Sequence, residues 1–397
     1  MPTLKFAEAR ACVIERVSAV GPPPPVELVA LDDAAGRVLA EDVLADRDYP
    51  PLARSIRDGY AVRAADLPGE LRVTGEVRAG TVFSGELMPG EAIEIMTGAP
   101  MPRGADAVVM VEHTARAGDC VRTEKRPEAG EFVNPQGAET RRGMVVLRRG
   151  QRLDFARVAQ LATCGKTSVA VYRRPSVAIL ATGDEIVEVD QAPLDHQIRN
   201  SNVYSLAAQV KRAGGTPLIL PVARDEEQHT RGLVLEGLKQ DLLLLSGGVS
   251  AGKYDIVEPV LAGLGAEFYF DRVLIQPGQP LVFGEVRSRF FFGLPGNPAS
   301  TMVTFELFAR AAIELLGGES EPMLPMMLAR LSADFRHKTG LTRFLPARLS
   351  ADGSEVMPIR WQGSSDVPSM VAANAFLVAD AERGEWQAGD LIQVLLK

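Results

Sequence analysis

The chain has 397 residues, 46% hydrophobic and 24% charged, which is ordinary for a globular protein but long for a single core, so roughly two to four domains are expected. Its 51 acidic residues outnumber the 43 basic ones, giving a net charge of −8, which argues against broad nucleic-acid binding because that needs a basic surface. Cys12, Cys120 and Cys164 form no CxxC pair or disulfide framework, and no apolar run reaches the ~20 residues of a membrane helix; the expectation is a cytoplasmic protein with free thiols and neither a membrane nor a nucleic-acid partner.

Residues 3–20 place Phe6, Val13, Ile14 and Val17 at helical spacing. The prolines at 22–25 end that helix and stiffen a linker. Residues 26–31 read as a strand, and 34–48 fit neither template. From about 50 to 137, short segments such as 71–77 and 107–111 are cut by frequent Gly and Pro, the pattern of a small all-β unit. Residues 151–172 read as helical, with Phe155, Val158, Ala159 and Leu161 on one face.

Between 175 and 318 strand-like runs at 176–181, 217–222, 241–245 and 289–293 alternate with helix-like runs, which argues for a mainly parallel sheet covered on both faces. One helix carries Val203, Leu206, Ala207 and Val210 and stops at Gly214-Gly215. A second can start at Asp225, with Gln228 at capping-box spacing. A third follows Asn297-Pro298, an N-cap and first-turn proline. Beyond 322, segments 344–349, 356–361 and 391–395 with a turn at Asp352-Gly353 read as a second small β domain. The fold class is therefore α/β plus β. The expected division is a discontinuous N-terminal unit (1–48 and 140–174), a small β domain (49–139), a central α/β domain (175–321) and a C-terminal β-barrel domain (322–397). Proline stretches near 22–25, 50–51 and 322–325 read as hinges.

The chemistry is concentrated after the central strands: Thr182-Gly183-Asp184-Glu185 follows the first, Arg224-Asp225 the second, Ser246-Gly247-Gly248-Val249-Ser250 with Asp255 the third, and Leu294-Pro295-Gly296-Asn297-Pro298 the fourth. In an open parallel sheet the carboxyl ends of the strands share one edge, so these loops should converge on one ligand. Glycines let backbone N–H groups approach an anion, and the hydroxyls of Thr182 and Ser250 can donate to phosphate oxygens. The carboxylates of Asp184, Glu185, Asp225 and Asp255 would repel such an anion unless a cation lay between them; hard oxygens beside a phosphate site imply Mg²⁺. Asp225 also reads as a simple N-cap and Asp184 as a turn residue bonded to its own backbone. His113, His196, His229 and His337 form no ligand-spaced pair, so no zinc site or nucleophilic triad is expected.

Seven motifs in order carry a resemblance: Ser55-Ile56-Arg57-Asp58-Gly59-Tyr60-Ala61, Met96-Thr97-Gly98-Ala99-Pro100, Gly104-Ala105-Asp106-Ala107-Val108-Val109, Thr182-Gly183-Asp184-Glu185, Ser246-Gly247-Gly248-Val249-Ser250 with Asp255, Gln276-Pro277-Gly278-Gln279-Pro280, and Leu294-Pro295-Gly296-Asn297-Pro298. Over essentially its whole length the chain resembles the molybdopterin molybdenumtransferase family, to which the C-terminal domain of gephyrin is related. The resemblance implies an elongated homodimer with four domains per chain. It implies Mg²⁺-dependent conversion of adenylylated molybdopterin and molybdate to molybdenum cofactor and AMP, in a cleft between the α/β domain of one subunit and a small β domain of the other. Onto this chain it carries Asp58, Thr97, Glu185 and Asp255 as catalytic positions. For the substrate it carries Thr182, Gly183, Ser246, Gly247, Gly248, Ser250, Arg272, Pro295, Gly296, Asn297 and Ser364. Its prospective partners are a molybdopterin adenylyltransferase and molybdoenzyme acceptors. The chain departs from the family at Gln276 and Gln279, where many relatives carry Lys, at Pro346, where an Arg is expected between Arg343 and Arg348, and at Glu139 in a segment often richer in Arg. The rival readings are a molybdopterin adenylyltransferase and a gephyrin-like scaffold.

Overall fold

A computed structural model describes residues 3–20, 23–247 and 256–397. At its centre lies a seven-stranded sheet in the order Thr3–Leu4, Glu267–Val273, Pro280–Val286, Arg289–Leu294, Leu242–Ser246, Ser176–Ala181, Thr216–Ile219. The last four strands run parallel, as the buried apolar runs in them require. Alternate residues serve opposite faces. Val177, Ile179, Leu242, Leu244, Phe290 and Phe292 join one core, while Ala178, Leu180, Leu243, Leu245 and Phe291 join the other. The helices Phe6–Ser18, Asn202–Arg212 and Pro298–Thr304 cover the first face; Glu227–Gly237 and Val257–Gly263 cover the second.

The mainly parallel sheet holds, with an extension absent from the sequence reading. Glu267–Val273 and Pro280–Val286 pair antiparallel, and Thr3–Leu4 adds a further edge strand beside Glu267–Val273. The helix expected over 3–20 spans Phe6–Ser18. It packs Ala9, Val13 and Val17 into the central core, across the boundary drawn at residue 175.

Residues 26–48 and 145–172 come together: Val26–Ala30 pairs antiparallel with Ser168–Tyr172, and Val43–Leu44 with Val145–Leu147. This corrects the helical reading of 151–172. The helix is only Phe155–Thr163, Phe155 is 89% exposed rather than on a buried face, and the β-branched run that follows forms a strand because a partner strand is there to receive it. Between these segments lies a six-stranded sheet in the order Ala107–Met110, Gly59–Val62, Glu91–Ile95, Gly69–Val77, Cys120–Thr123, Ala115–Ala117.

After residue 325, the strands Thr342–Leu349, Glu355–Pro358, Met326–Leu331, Leu391–Leu396 and Ala375–Ala379 pair in that order, and the last returns to the first, so the sheet closes on itself and has no free edge. No helix among the described residues is long and apolar enough to cross a membrane.

Candidate functional site

The four parallel strands end on one side, and a cleft of about 480 Å³ opens there. Its walls come from Thr182 and Glu185 after the first strand, Ser246 and Gly247 after the third, and Pro295–Pro298 after the fourth. The convergence expected from sheet topology is therefore met by these three loops. Backbone bonds fix them to one another: the Thr182 N–H donates to Ser246 O at 3.1 Å, and the Gly247 N–H to Leu294 O at 3.2 Å. Gly247 has φ +88°, and a Cβ there would meet Thr182 O at 2.9 Å; only glycine permits that approach.

Two atoms show what the cleft lacks. Thr182 Oγ1 and Asn202 Oδ1 are buried without a hydrogen-bond partner, and both residues line the cleft. Buried polar atoms are nearly always satisfied, so an orphaned pair marks a place for a polar ligand. Asn202 is held by its amide, which donates to Ser246 Oγ at 2.9 Å and to Gly296 O at 2.8 Å. Its carboxamide oxygen remains unpaired.

The acidic residues divide. Glu185 lines the cleft, and its carboxylate folds over Gly183, where an added Cβ would lie 2.4 Å from Glu185 Oε2. Gly183 thus leaves the space that sets this side chain. Asp184 accepts from the Asp225 N–H at 3.2 Å, and neither residue is among those lining the cleft. Asp184 is therefore not the locally bonded turn residue it also resembled: its carboxylate ties its loop to the one that carries Asp225. Asp225 is no N-cap, because the helix begins at Glu227 with Glu226 in the cap position. Gly248, Ser250 and Asp255 lie outside the described residues. Among the described residues no three His, Cys, Asp or Glu side chains gather to hold a metal.

The sequence reading missed the segment Arg199–Asn202, which forms part of the cleft's wall and is bonded to the glycine loops through Asn202. Arg199 is the one cationic side chain among the described lining residues. The polar run Arg199-Asn200-Ser201-Asn202 was visible, but it leads into an amphipathic helix, where Ser and Asn read as capping. Arg272 is exposed, on the strand beside Pro280, and Arg272, Gln276 and Gln279 are all absent from the lining. Gly278 (φ +100°) lies against Thr304, whose Cγ2 would be 2.3 Å from an added Cβ, so this loop buttresses the helix that carries Asn297.

Asn297 stands at the N-cap of Pro298–Thr304, as expected, but its side chain does not cap. Instead its amide donates to Ser364 Oγ at 2.8 Å, and the Ala299 N–H donates to Ser364 O at 2.9 Å. Ser364 of the C-terminal domain is thereby placed at the rim of the cleft in the same chain. Asp58 and Thr97 also meet: one carboxylate oxygen, Oδ1, accepts the Thr97 N–H at 2.6 Å and the Thr97 hydroxyl at 2.7 Å. The backbone donor first, and then the hydroxyl, hold the Asp58 carboxyl below the usual carboxylate range. This pair sits in the six-stranded domain, apart from the residues lining the cleft.

Residues 4–165 match the MoeA N-terminal region (domain I and II), residues 178–315 a probable molybdopterin binding domain, and residues 328–397 the MoeA C-terminal region (domain IV). The chain is 36% identical over 384 residues to the molybdopterin molybdenumtransferase of Bacillus subtilis, covering 93% of this chain and 89% of that one. It is 33% identical over 382 residues to the enzyme of the same name from Staphylococcus aureus strain COL, covering 94% and 91%. Among solved structures, the molybdopterin biosynthesis MoeA protein from Pyrococcus horikoshii OT3 superposes with a TM-score of 0.82 at 28% identity, covering 100% of both chains.

Proposed function

This chain belongs to the molybdopterin molybdenumtransferase family, and on that premise we propose that it is a transferase that inserts molybdenum from molybdate into adenylylated molybdopterin, yielding molybdenum cofactor and AMP. The observation that carries this reading is the cleft at the strand ends, where glycine-built turns and two orphaned oxygens, Thr182 Oγ1 and Asn202 Oδ1, share the wall with Glu185, the one acidic side chain among the described lining residues. The N–H groups of Thr182, Gly183 and Gly247 are spent on the carbonyls of Ser246, Ala223 and Leu294, so the unpartnered Thr182 hydroxyl is the donor these turns offer to phosphate. Arg199 contributes positive charge at the wall. Ser246, Gly296 and Asn297 fix the geometry through the hydrogen bonds of Asn202 and Ser364. Such a site works by positioning and charge neutralisation rather than by a protein nucleophile.

The donor set fits Mg²⁺, which takes one or two carboxylates, keeps several waters and completes its shell from substrate phosphates. Glu185 would hold it, with Asp255 as the second carboxylate and the Thr182 hydroxyl nearby. When bound, it would supply positive charge between these carboxylates and the phosphate oxygens. Asp184 and Asp225 fit this role less well, because neither is among the residues lining the cleft and the Asp184 carboxylate already accepts the Asp225 N–H.

In this reading the protein works as a cytoplasmic homodimer, and Asp58 and Thr97 of the partner subunit complete the cleft. The pterin arrives from a molybdopterin adenylyltransferase, and the product passes to molybdoenzyme acceptors. The test uses purified protein with adenylylated molybdopterin, molybdate and Mg²⁺, following AMP release. Glu185→Gln should slow release by about 100-fold, the scale for losing a group that stabilises transition-state charge, while leaving the thermal midpoint in place. Normal release by folded Glu185→Gln and Asp255→Asn proteins would overturn the carboxylate assignment. ATP consumption without molybdate would instead indicate adenylylation.

A further inference from the structure

A second hollow, of about 440 Å³, lies in the C-terminal domain, with walls from residues 335–337, Arg343, Leu345 and residues 358–361. Its charge is one-sided: Arg336, Arg343 and Arg360 line it beside His337, and no Asp or Glu does. Arg336 reaches Glu385 at 3.6 Å with both side chains exposed, a weak surface pair. Arg343 and Arg360 enter no ion pair among the described residues.

Two partly buried side chains of the hollow are also incompletely bonded. The Lys338 carbonyl accepts from His337 Nδ1 at 2.9 Å and from Arg343 Nη2 at 3.2 Å, so His337 and Arg343 are tied to one point. A carbonyl can only accept, which places a proton on His337 Nδ1. His337 Nε2 and Arg343 Nε are then buried with no partner. Arg343 Nε is a donor without an acceptor beside the unpaired guanidinium of Arg360, which favours an anionic acceptor, while the bare His337 Nε2 can take a hydroxyl donor such as a protonated phosphate oxygen.

Flat rings surround these groups. The rings of Phe335, His337 and Trp386 meet in a triangle, with centroids 5.7 Å apart for Phe335 and His337, 5.2 Å for His337 and Trp386 and 5.7 Å for Phe335 and Trp386, and Trp361 forms part of the hollow's wall. Aromatic faces beside guanidinium forks form a combination that holds a ring and a phosphate together.

We infer that this hollow is a binding site, separate from the cleft, for a tetrahedral oxyanion of the phosphate class, with room for a flat ring beside it as in a nucleoside monophosphate. The inference stands on the hollow's own residues and does not depend on the reaction assigned to the cleft.

The chain's two tryptophans, Trp361 and Trp386, both belong to this region, so their fluorescence reports on it. Full-length protein is titrated with adenosine monophosphate, inorganic phosphate and adenosine, exciting tryptophan alone. A saturable change with adenosine monophosphate is expected, at least ten-fold weaker in Arg360→Gln and weaker again in Arg343→Gln/Arg360→Gln, on the scale of a lost charge-assisted hydrogen bond. Arg360 is exposed, so the single variant folds even if the double one does not. Ser201→Asp, which adds negative charge to the cleft at an exposed helix start, should leave the titration intact. Inorganic phosphate binding as tightly as the nucleotide would assign the site to a free oxyanion. Adenosine binding as tightly as the nucleotide, no saturable change, a wild-type titration in Arg360→Gln, or loss of the signal in Ser201→Asp would each overturn the inference.

Discussion

Asp58 spends one carboxylate oxygen on two donors of Thr97, and its acidity follows from that geometry. Both donors favour the ionised form, so the folded-state pKa lies below the ordinary value of 3.8. A carboxyl depressed in this way contributes stability that is fully present above its unfolded pKa and is lost as pH falls through the folded one. Thr97→Val removes the hydroxyl but keeps the backbone N–H. The Asp58 pKa should therefore rise part of the way toward the ordinary value, and the acid-side loss of stability should be smaller and be complete at higher pH. An NMR titration of the Asp58 carboxyl carbon measures this directly; an unchanged midpoint would mean that the backbone donor alone sets the acidity. Neither donor can be read from the motif around residue 97. The residues alone fit a turn at Asp58-Gly59 and a strand end at Thr97-Gly98, but only the pairing of Gly59–Val62 with Glu91–Ile95, Gly59 opposite Ile95, brings the side chains together.

The stretch after Asn297 shows how an element can be legible in outline and not in detail. The N-cap and first-turn proline marked its start correctly, but the run contains a π-helical turn, Phe305–Ala309, that no local pattern announced. A π turn displaces carbonyls from the helical ladder. The Leu307 carbonyl accepts Arg10 Nη1 at 2.6 Å, and the same guanidinium reaches Pro322 O at 3.0 Å. Inside the turn, Glu306 is 4% exposed and faces Arg212 at 2.6 Å, Arg310 at 3.5 Å and the amide of Gln209 at 2.7 Å. Replacing a buried member of such a set leaves charge uncompensated. Glu306→Ala should lower stability by roughly 3 kcal/mol, the low end for a buried pair because Arg212 can turn toward water. Chemical denaturation reads the loss, and a change below about 1 kcal/mol would show that the arginines find other partners. Elsewhere the strands buried on both faces were legible because they are continuous apolar runs, as at 176–181 and 289–294. Glu267–Val273 was not, because Glu267, Asp271 and Arg272 interrupt its apolar character; nor was Pro280–Val286, which opens on a proline. Ser168–Tyr172 was absorbed into a helical pattern that ends at Thr163. In the cleft, glycine and hydroxyl loops announced themselves, whereas the Arg199–Asn202 wall was hidden by its resemblance to a helix cap.

At the scale of the whole molecule, the proline stretch at 322–325 suggested a hinge, but the contacts beside it describe a packed joint. Ile275–Gln276 pairs in parallel with Thr342 and Arg343, which stitches the central domain to the C-terminal one. Phe344 and Phe376 of the C-terminal domain belong to the central core, and the Phe6 ring meets Phe344 edge-on at 5.1 Å. Apolar burial supplies the strength of this joint. The polar latch, Asn297 amide to Ser364 hydroxyl and Ala299 N–H to Ser364 carbonyl, supplies its register at the cleft. A side-chain hydrogen bond at a partly exposed site is worth about 1 kcal/mol, so neither Ser364→Ala nor Asn297→Ala should move the denaturation midpoint far. Their effect should fall on turnover, because misplacement of a positioning group by even about 1 Å is costly. If the two side chains act only through their mutual bond, AMP release by the double variant should be no slower than by the worse single variant. Losses that multiply would instead show that Asn297 and Ser364 reach the substrate independently, and the joint would then be a passive support rather than the device that sets the rim of the cleft.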